Sequence, residues 1–263
     1  MDLGLSHRIA IVTGASRGIG LAVTRALVRE GATVVAGARR NTPELETLAG
    51  TGRVLALEVD LSGPNGPRSL VDAAVSAYGG VDILVNNVGA VRPRVDGFLS
   101  VTDEEWEAAW TINFLAAVRA TRAALPHMAK RSGGACVVTI SSVNAFLPDP
   151  LVIDYGTAKA ALSNFCKAVS KEFGPQGVRV NTVSPGPVST ALWLGDDGVA
   201  ASVSAATGGS PESVAEQAAG GSATGRFTRP EEIADLVAFL ASDRSGNITG
   251  ADFVIDGGLV TTL

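Results

Sequence analysis

The sequence predicts an α/β fold, a single domain built on a doubly wound sheet of about seven parallel strands with helices on both faces. Three observations predict it. Short β-branched apolar runs recur from one end of the chain to the other, helix-length segments alternate with them, and no repeat or interdomain linker breaks the alternation. Near-continuous apolar runs suit strands buried on both faces of a parallel sheet. Strand alternating with helix implies right-handed crossovers between parallel neighbours. A chain of 263 residues, 46% of them apolar, is long enough to bury one large core.

In chain order the strand candidates are residues 8–14 (RIAIVTG), 32–38 (ATVVAGA), 53–60 (RVLALEVD), 81–87 (VDILVNN), 134–141 (GACVVTIS), 178–184 (VRVNTVS) and 252–258 (DFVIDGG). Between them the helix candidates are IGLAVTRALVREG, PRSLVDAAVSAYG, a long stretch from about Thr102 to Ala129, TAKAALSNFCKAVSKEFG and PEEIADLVAFLAS. Residues 195–225 are dominated by Gly, Ala and Ser, and read as a mobile insertion. Two readings of it stand side by side, a surface loop and a lid over a ligand, since long loops in compact domains are commonly one or the other. The domain therefore runs 1–263, with a mobile substrate-loop insertion at about 191–225.

Lys and Arg number 21 against 26 Asp and Glu, a formal charge of -5. That balance disfavours nucleic acid and anionic membrane as partners. Cys136 and Cys166 lie in apolar runs and read as buried hydrophobes in a reduced compartment, so neither a disulfide nor a metal site is expected. The N-terminal MDLGLSHRIAIVTG has no charged region leading into a long apolar stretch, and no apolar run approaches the roughly 18 residues of a membrane span. A cytoplasmic protein is the expectation.

Thr13-Gly14-Ala15-Ser16-Arg17-Gly18-Ile19-Gly20 follows the first strand and opens the first helix. There, backbone N–H groups and the helix dipole hold a pyrophosphate, and glycine allows its close approach. The spacing is G-x-x-x-G-x-G rather than G-x-G-x-x-G. A dinucleotide fold selective for NAD places a carboxylate about 20 residues on, at the end of the second strand, to bind the adenosine ribose. Here that strand ends Gly37-Ala38-Arg39-Arg40. With the acid missing, Arg17 and Arg39 are candidates to grip an adenosine 2′-phosphate, a group that suits the guanidinium fork, and NADP(H) is the expected cofactor. The alternative is that Arg39 and Arg40 are solvated loop residues.

Further elements follow in order: Asp60 after the third strand, Asn86-Asn87-Val88-Gly89 after the fourth, Asn113 in the central helix and Ser141-Ser142 after the fifth. Tyr155-Gly-Thr-Ala-Lys159, Pro185-Gly186 after the sixth strand and Asp256-Gly257-Gly258 after the seventh complete the series. Over nearly its whole length the chain resembles the classical short-chain dehydrogenase/reductases, the Rossmann-type group that includes β-ketoacyl reductases and hydroxysteroid dehydrogenases. Val88 departs from the alanine usual there, adding volume beside the cofactor without removing a polar group.

Carbonyl reduction asks for a proton donor beside the oxygen as hydride reaches carbon. Tyr155 is the candidate. A free phenol has a pKa of about 10 and needs nearby positive charge; Lys159, four residues on along the same helical face, is placed to supply it. A second group must hold the oxygen. Ser141 and Ser142 point to opposite faces of an extended segment, and the resemblance, which sets its serine thirteen residues before the tyrosine, selects Ser142. Ser141 then reads as structural. Asn113, polar within the apolar run WTINFLAAV, reads as a buried amide satisfied by backbone; the resemblance implies a proton relay in which it holds water linked to Lys159. Both readings are compatible.

The resemblance also implies cofactor contacts. They are Gly14, Ser16, Arg17, Gly18, Ile19 and Gly20 in the loop, Arg39, Asp60 and Leu61 near the adenosine, Asn87 and Gly89, Tyr155 and Lys159, and Pro185, Gly186, Val188 and Thr190 around the nicotinamide amide and pyrophosphate. Asn86 is expected to fix strand ends through backbone hydrogen bonds. Pocket-wall candidates are Val91 to Phe98, Val143 to Leu151, and Trp193, mostly apolar and suited to a hydrophobic ketone or alcohol. Arg92 and Arg94 either attract an anionic substrate or are solvated. Lys130 and Arg131 are possible counterparts of the basic residues beside the site in carrier-protein reductases, whereas Gln176 stands where those reductases tend to have arginine. The resemblance further implies a homotetramer using helices 102–129 and 155–173. Three functions remain: an NADP(H)-dependent ketoreductase or alcohol dehydrogenase, an NAD-dependent enzyme of the same fold, and a non-catalytic NADP-sensing protein. The complete set of Asn113, Ser142, Tyr155 and Lys159 argues against the last, since sensing needs no proton donor.

Overall fold

The computed structural model describes residues 2–262. Seven strands, β1 (Ile9–Thr13), β2 (Thr33–Ala38), β3 (Val54–Glu58), β4 (Ile83–Asn86), β5 (Ala135–Ile140), β6 (Val178–Pro185) and β7 (Asp252–Ile255), form one sheet in the order β3-β2-β1-β4-β5-β6-β7. All six pairings are parallel. The chain winds outward from β1 in one direction and from β4 in the other. The carboxyl ends of β1 and β4 therefore flank the switch point, where a crevice opens in a sheet of this kind.

Each face of the sheet carries its own core. On one face α1 (Gly18–Arg29) packs beside α10 (Pro230–Ala241), burying Val23, Leu27, Ile233 and Val237 against Val12, Val34 and Val138. On the other face α3 (Gly66–Tyr78), α5 (Ala116–Met128) and α6 (Ile153–Phe173) bury Leu70, Leu125, Met128 and Leu162 against Ile11, Leu84 and Val137. Strands between two such layers cannot alternate polar with apolar, and β1, β4 and β5 are buried throughout.

The helices differ from the expected ones at three places. A short α2 (Pro43–Ala49) follows β2, started by Thr42, whose side chain accepts from the Leu45 N–H, and by Pro43 in the first turn. The long central helix is α4 (Asp103–Trp110), started by a Thr102–Glu105 capping box, joined to α5 through a π-helical turn at Thr111–Leu115. Residues 191–220, read as part of a mobile loop, fold into α7 (Ala191–Leu194), α8 (Val199–Thr207) and α9 (Pro211–Gly220).

Asn86 holds the sheet to its helix layer, but not through backbone as expected: Nδ2 donates to the Thr121 hydroxyl at 3.0 Å and to the Thr139 hydroxyl at 3.3 Å. Among the described residues no helix is long and apolar enough to cross a membrane, and no His, Cys, Asp and Glu cluster could hold a metal.

Candidate active site

A cleft of about 1180 Å³ runs along the carboxyl ends of the strands. At its centre the loop after β1 turns into α1 through Gly14 at φ +68° and Gly18 at φ +54°, conformations that favour glycine. Asn87 clamps this loop from β4, its Nδ2 donating to the Thr13 and Gly14 carbonyls at 2.9 and 3.1 Å. The first turn of α1 carries no acidic residue, so its partnerless N–H groups and positive dipole end face the cleft unneutralised. An anion is what such an end receives.

At one end of the cleft Arg17, Arg39 and Arg40 are exposed and line it together with Ala38, Thr42, Asp60 and Leu61. The three arginines make no ion pair among the described residues. The Asp60 carboxylate is engaged locally: Ser62 donates to it from both backbone and hydroxyl, and these bonds, helped by Arg39, hold its pKa below the ordinary value. Thr42 ties this end to the glycine loop, donating to the Ser16 carbonyl at 2.8 Å.

At the other end α6 delivers Tyr155 and Lys159. The helix begins at Ile153, ahead of the predicted run, because Asp149 caps the turn Pro150–Val152 by accepting from the Leu151 N–H, and Asp154 in the first turn suits the helix dipole. Lys159 is 3% exposed, and its Nζ donates to the Ile140 carbonyl at 2.8 Å and lies 5.6 Å from the Tyr155 ring centre. Burial pushes the Lys159 pKa down to about 8. Burial likewise raises the Tyr155 pKa above the ordinary phenol value, and the opposing pull comes from Ser142 rather than from Lys159 as expected. Ser142 borders the cleft, with its Oγ accepting from the Asn144 N–H at 3.1 Å. Ser141 also borders the cleft, while its hydroxyl pairs with that of Ser163 at 2.7 Å.

Asn113 stands behind this group, within the π-helical turn. Its Oδ1 accepts from the Ala90 N–H at 3.0 Å, and its Nδ2 donates to the Ala90 and Ala109 carbonyls at 2.9 and 3.0 Å. A helical turn widened by one residue points this amide at the loop after β4 and lets it grip Ala90 from both sides.

This geometry has counterparts among known proteins. The family model described as Enoyl-(Acyl carrier protein) reductase matches residues 14–260. A 3-oxoacyl-acyl-carrier-protein reductase of Thermotoga maritima is 33% identical over 97% of this chain and 99% of its own. Human dehydrogenase/reductase SDR family member 4 is 34% identical over 98% of this chain and 90% of its own. The chain belongs to the short-chain dehydrogenase/reductase family. Among solved structures, L-sorbose reductase of Gluconobacter frateurii, complexed with NADPH and L-sorbose, superimposes with a TM-score of 0.91 at 34% identity, covering both chains fully. Ligand-free aldohexose dehydrogenase of Thermoplasma acidophilum gives 0.86 at 28% identity, also over both full chains. The family's members are oxidoreductases that use nicotinamide cofactors.

Within this short-chain dehydrogenase/reductase, Gly14, Ser16, Arg17, Gly18, Ile19, Arg39, Asp60, Leu61, Asn87, Gly89, Ser142, Tyr155, Lys159, Pro185, Gly186, Val188 and Thr190 all line the one cleft. Gly20 and Asn113 do not. A Cβ on Gly20 would lie 2.2 Å from the Gly14 carbonyl oxygen, so its task is close packing of α1 on the loop rather than contact with a ligand. Of the segment Val91 to Phe98 only Val91 reaches the cleft. Arg94 neither lines the cleft nor is solvated: it is buried and paired with Asp154 and Glu105, and Arg92 also pairs with Glu105 at 3.0 Å. Lys130 and Arg131 follow α5 at the amino ends of the strands, where Arg131 binds Asp82 at 2.6 Å, on the opposite edge of the sheet from the cleft.

Sequence reasoning missed Arg40 and Thr42 as lining residues, and also the α9 pair Gln217 and Ala218, whereas Asn144 and Asp149 fall within the expected wall Val143 to Leu151 and do line the cleft. Thr42-Pro43 was a readable helix start that brings Thr42 over the loop. Ser210-Pro211 gave the same signal for α9, where Ser210 accepts from the Ser213 N–H. Trp193 lines the cleft as expected and stacks edge-on against Phe227, ring centres 5.3 Å apart.

Proposed function

We propose that this protein is an NADP(H)-dependent oxidoreductase interconverting a neutral, largely apolar ketone and its secondary alcohol, with Tyr155 as the general acid and base. The observation that carries this reading is the convergence of Tyr155, Ser142 and Lys159 on one cleft that also contains the anion-ready end of α1.

The residues present fit the cofactor. The α1 terminus suits a pyrophosphate, and the exposed guanidinium groups of Arg17 and Arg39, with Arg40 beside them, suit an adenosine 2′-phosphate. When bound, the nicotinamide supplies or accepts the hydride. Everything else falls to side chains of this chain. In reduction Tyr155 passes its proton to the oxygen as negative charge grows there, and Ser142 holds that oxygen in a pre-oriented hydrogen bond. Ser142, whose hydrogen bond lowers the Tyr155 pKa, stabilises the phenolate that remains, and Lys159, held by the Ile140 carbonyl with its Nζ 5.6 Å from the Tyr155 ring centre, places a cation beside it. Asn113, through its grip on Ala90, keeps the wall beside Lys159 in place for water to return the proton.

The substrate class follows from the lining. Val91, Val143, Leu147, Leu151, Leu192 and Trp193 are apolar, Asn144, Asp149 and Gln217 add polar groups, and among the described residues the cations of the cleft are the three arginines at the far end and Lys159. No basic side chain is left to pair with a substrate carboxylate or phosphate, which favours neutral ketones over carrier-bound or carboxylated ones. The NADPH held by the L-sorbose reductase structure supports the nucleotide assignment. The same reading takes the protein to be a cytoplasmic homotetramer joined through α4, α5 and α6.

The test is a screen of NADPH oxidation with cyclohexanone, ethyl acetoacetate, menadione and a steroid ketone, alongside titration of the protein with NADPH and NADH. Preference for NADPH should fall by about 10- to 100-fold in Arg39→Ala, the value of a charge-assisted contact. Equal affinity for the two nucleotides in the unaltered protein would remove the 2′-phosphate assignment.

A further inference from the structure

Arg94 is a buried charge that neither the cleft nor the proton path uses. Its side chain is 7% exposed and lies between two carboxylates from different helices. Nε donates to Asp154 Oδ2 at 3.1 Å and Nη2 donates to the same oxygen, while Nη1 donates to Glu105 Oε1 at 2.7 Å. Its backbone N–H donates to the Leu151 carbonyl at 2.7 Å, in the turn that leads into α6. Asp154, 3% exposed, uses its other oxygen to accept from the Tyr155 N–H at 2.9 Å. One guanidinium thus joins the loop after β4, the first turn of α4 and the first turn of α6, and reaches the residue adjoining Tyr155.

Stability alone is a poor reason for this arrangement. Desolvating an ion pair costs several kcal/mol per ion, and apolar residues of similar volume commonly serve a core as well or better. What the guanidinium supplies is orientation: two of its donors converge on Asp154 Oδ2 and hold that oxygen in distance and direction, which leaves Oδ1 for the Tyr155 N–H. The Asp154 carboxylate in turn fixes the peptide that bears Tyr155.

We propose that Arg94 is a positioning residue for catalysis, which through Asp154 sets the placement of Tyr155 at the start of α6. The proposal rests on the reading of Tyr155 as the proton donor. Proton transfer demands heavy-atom separations of about 2.6–3.2 Å, so a small rotation of the first turn of α6 changes turnover while leaving the nucleotide end of the cleft untouched.

The test compares Arg94→Met, the double variant Arg94→Met/Asp154→Asn and Arg94→Lys, using NADPH and the most rapidly reduced ketone of the screen above. Three quantities are read: thermal midpoint, NADPH affinity, and kcat and KM separately. Arg94→Met leaves the Asp154 carboxylate buried without a cation and is expected to lower the midpoint; the double variant removes that charge and recovers it. In both, kcat should fall by about 100-fold, the scale of a displacement near 1 Å at a reacting group. NADPH affinity and KM should change by less than about threefold. Arg94→Lys keeps the charge without the fork, and should recover stability more than kcat. If the double variant is as stable as the unaltered protein and its kcat is within about twofold, Arg94 is structural only and the proposal falls. Loss of turnover in Tyr155→Phe alongside that result would leave the proton-donor reading standing, so the two fail separately.

Discussion

A single proton on Lys159 links folding to chemistry. The ammonium is almost fully buried, with the Ile140 carbonyl as its hydrogen-bond acceptor, and burial lowers its pKa to about 8 from an ordinary 10.5. Below pH 8 both folded and unfolded chains hold the proton, and the cost of burying the charge is present in full. Between about pH 8 and 10.5 the folded chain has released it while the unfolded chain has not, so this residue's contribution to stability rises with pH. Cys136 and Cys166, whose thiols burial pushes up to about 11, act in the opposite sense from pH 9 upward. Comparison with Lys159→Met isolates the lysine. We expect the cofactor-free Lys159→Met protein to be the more stable of the two at pH 7 and to lose that advantage by pH 10, measured by denaturant unfolding. A difference that does not change between pH 7 and 10 would show that Lys159 carries no depressed pKa. Stability surrendered at a functional group in this way is a common trade.

Among the elements, the glycine loop and α1 are the most tightly constrained. The notional Cβ on Gly20 meets the Gly14 carbonyl at 2.2 Å and Asn87 Nδ2 at 2.5 Å, so α1 cannot keep its position if that atom is added. Gly20→Ala should destabilise by about 2–3 kcal/mol and, on the proposed reading, weaken NADPH binding with it, because the helix start proposed to receive the pyrophosphate is displaced. Unchanged denaturant midpoint and nucleotide affinity in that variant would contradict the packing assignment. The elements legible in the sequence were those with strong local signals. Seven apolar runs marked seven strands, and Tyr155 with Lys159 at helical spacing marked a shared face. The helices α8 and α9 were not legible as such, since a segment rich in Ala, Gly and Ser has little apolar periodicity and only the Ser210-Pro211 start announced one of them. Arg94 was illegible for another reason: its partner Asp154 lies 60 residues away, and spacing says nothing about contacts between a loop and a helix so far apart in the chain. Lys130 and Arg131 misled because a basic pair carries no indication of which edge of the sheet it occupies.

At the scale of the whole molecule, one cleft gathers the ends of six strands, β1 to β6, the start of α1, the start of α6 and the α7–α9 segment. Its two ends differ in chemistry: exposed guanidinium groups at one, and at the other mostly apolar walls, with Ser142, Asn144, Asp149 and Gln217 among them, around a buried lysine and a tyrosine. A nucleotide and a neutral carbonyl compound are the pair of ligands that this division suits, with Tyr155 where they meet. The most direct test of that account is Tyr155→Phe, which removes one oxygen atom and keeps the ring. NADPH affinity, followed by nucleotide fluorescence, should stay within about twofold, while kcat for ketone reduction falls by about 10²- to 10⁴-fold, the usual contribution of a general acid. Turnover equal to that of the unaltered protein would contradict the account at its centre, and would place the proton donor elsewhere in the cleft.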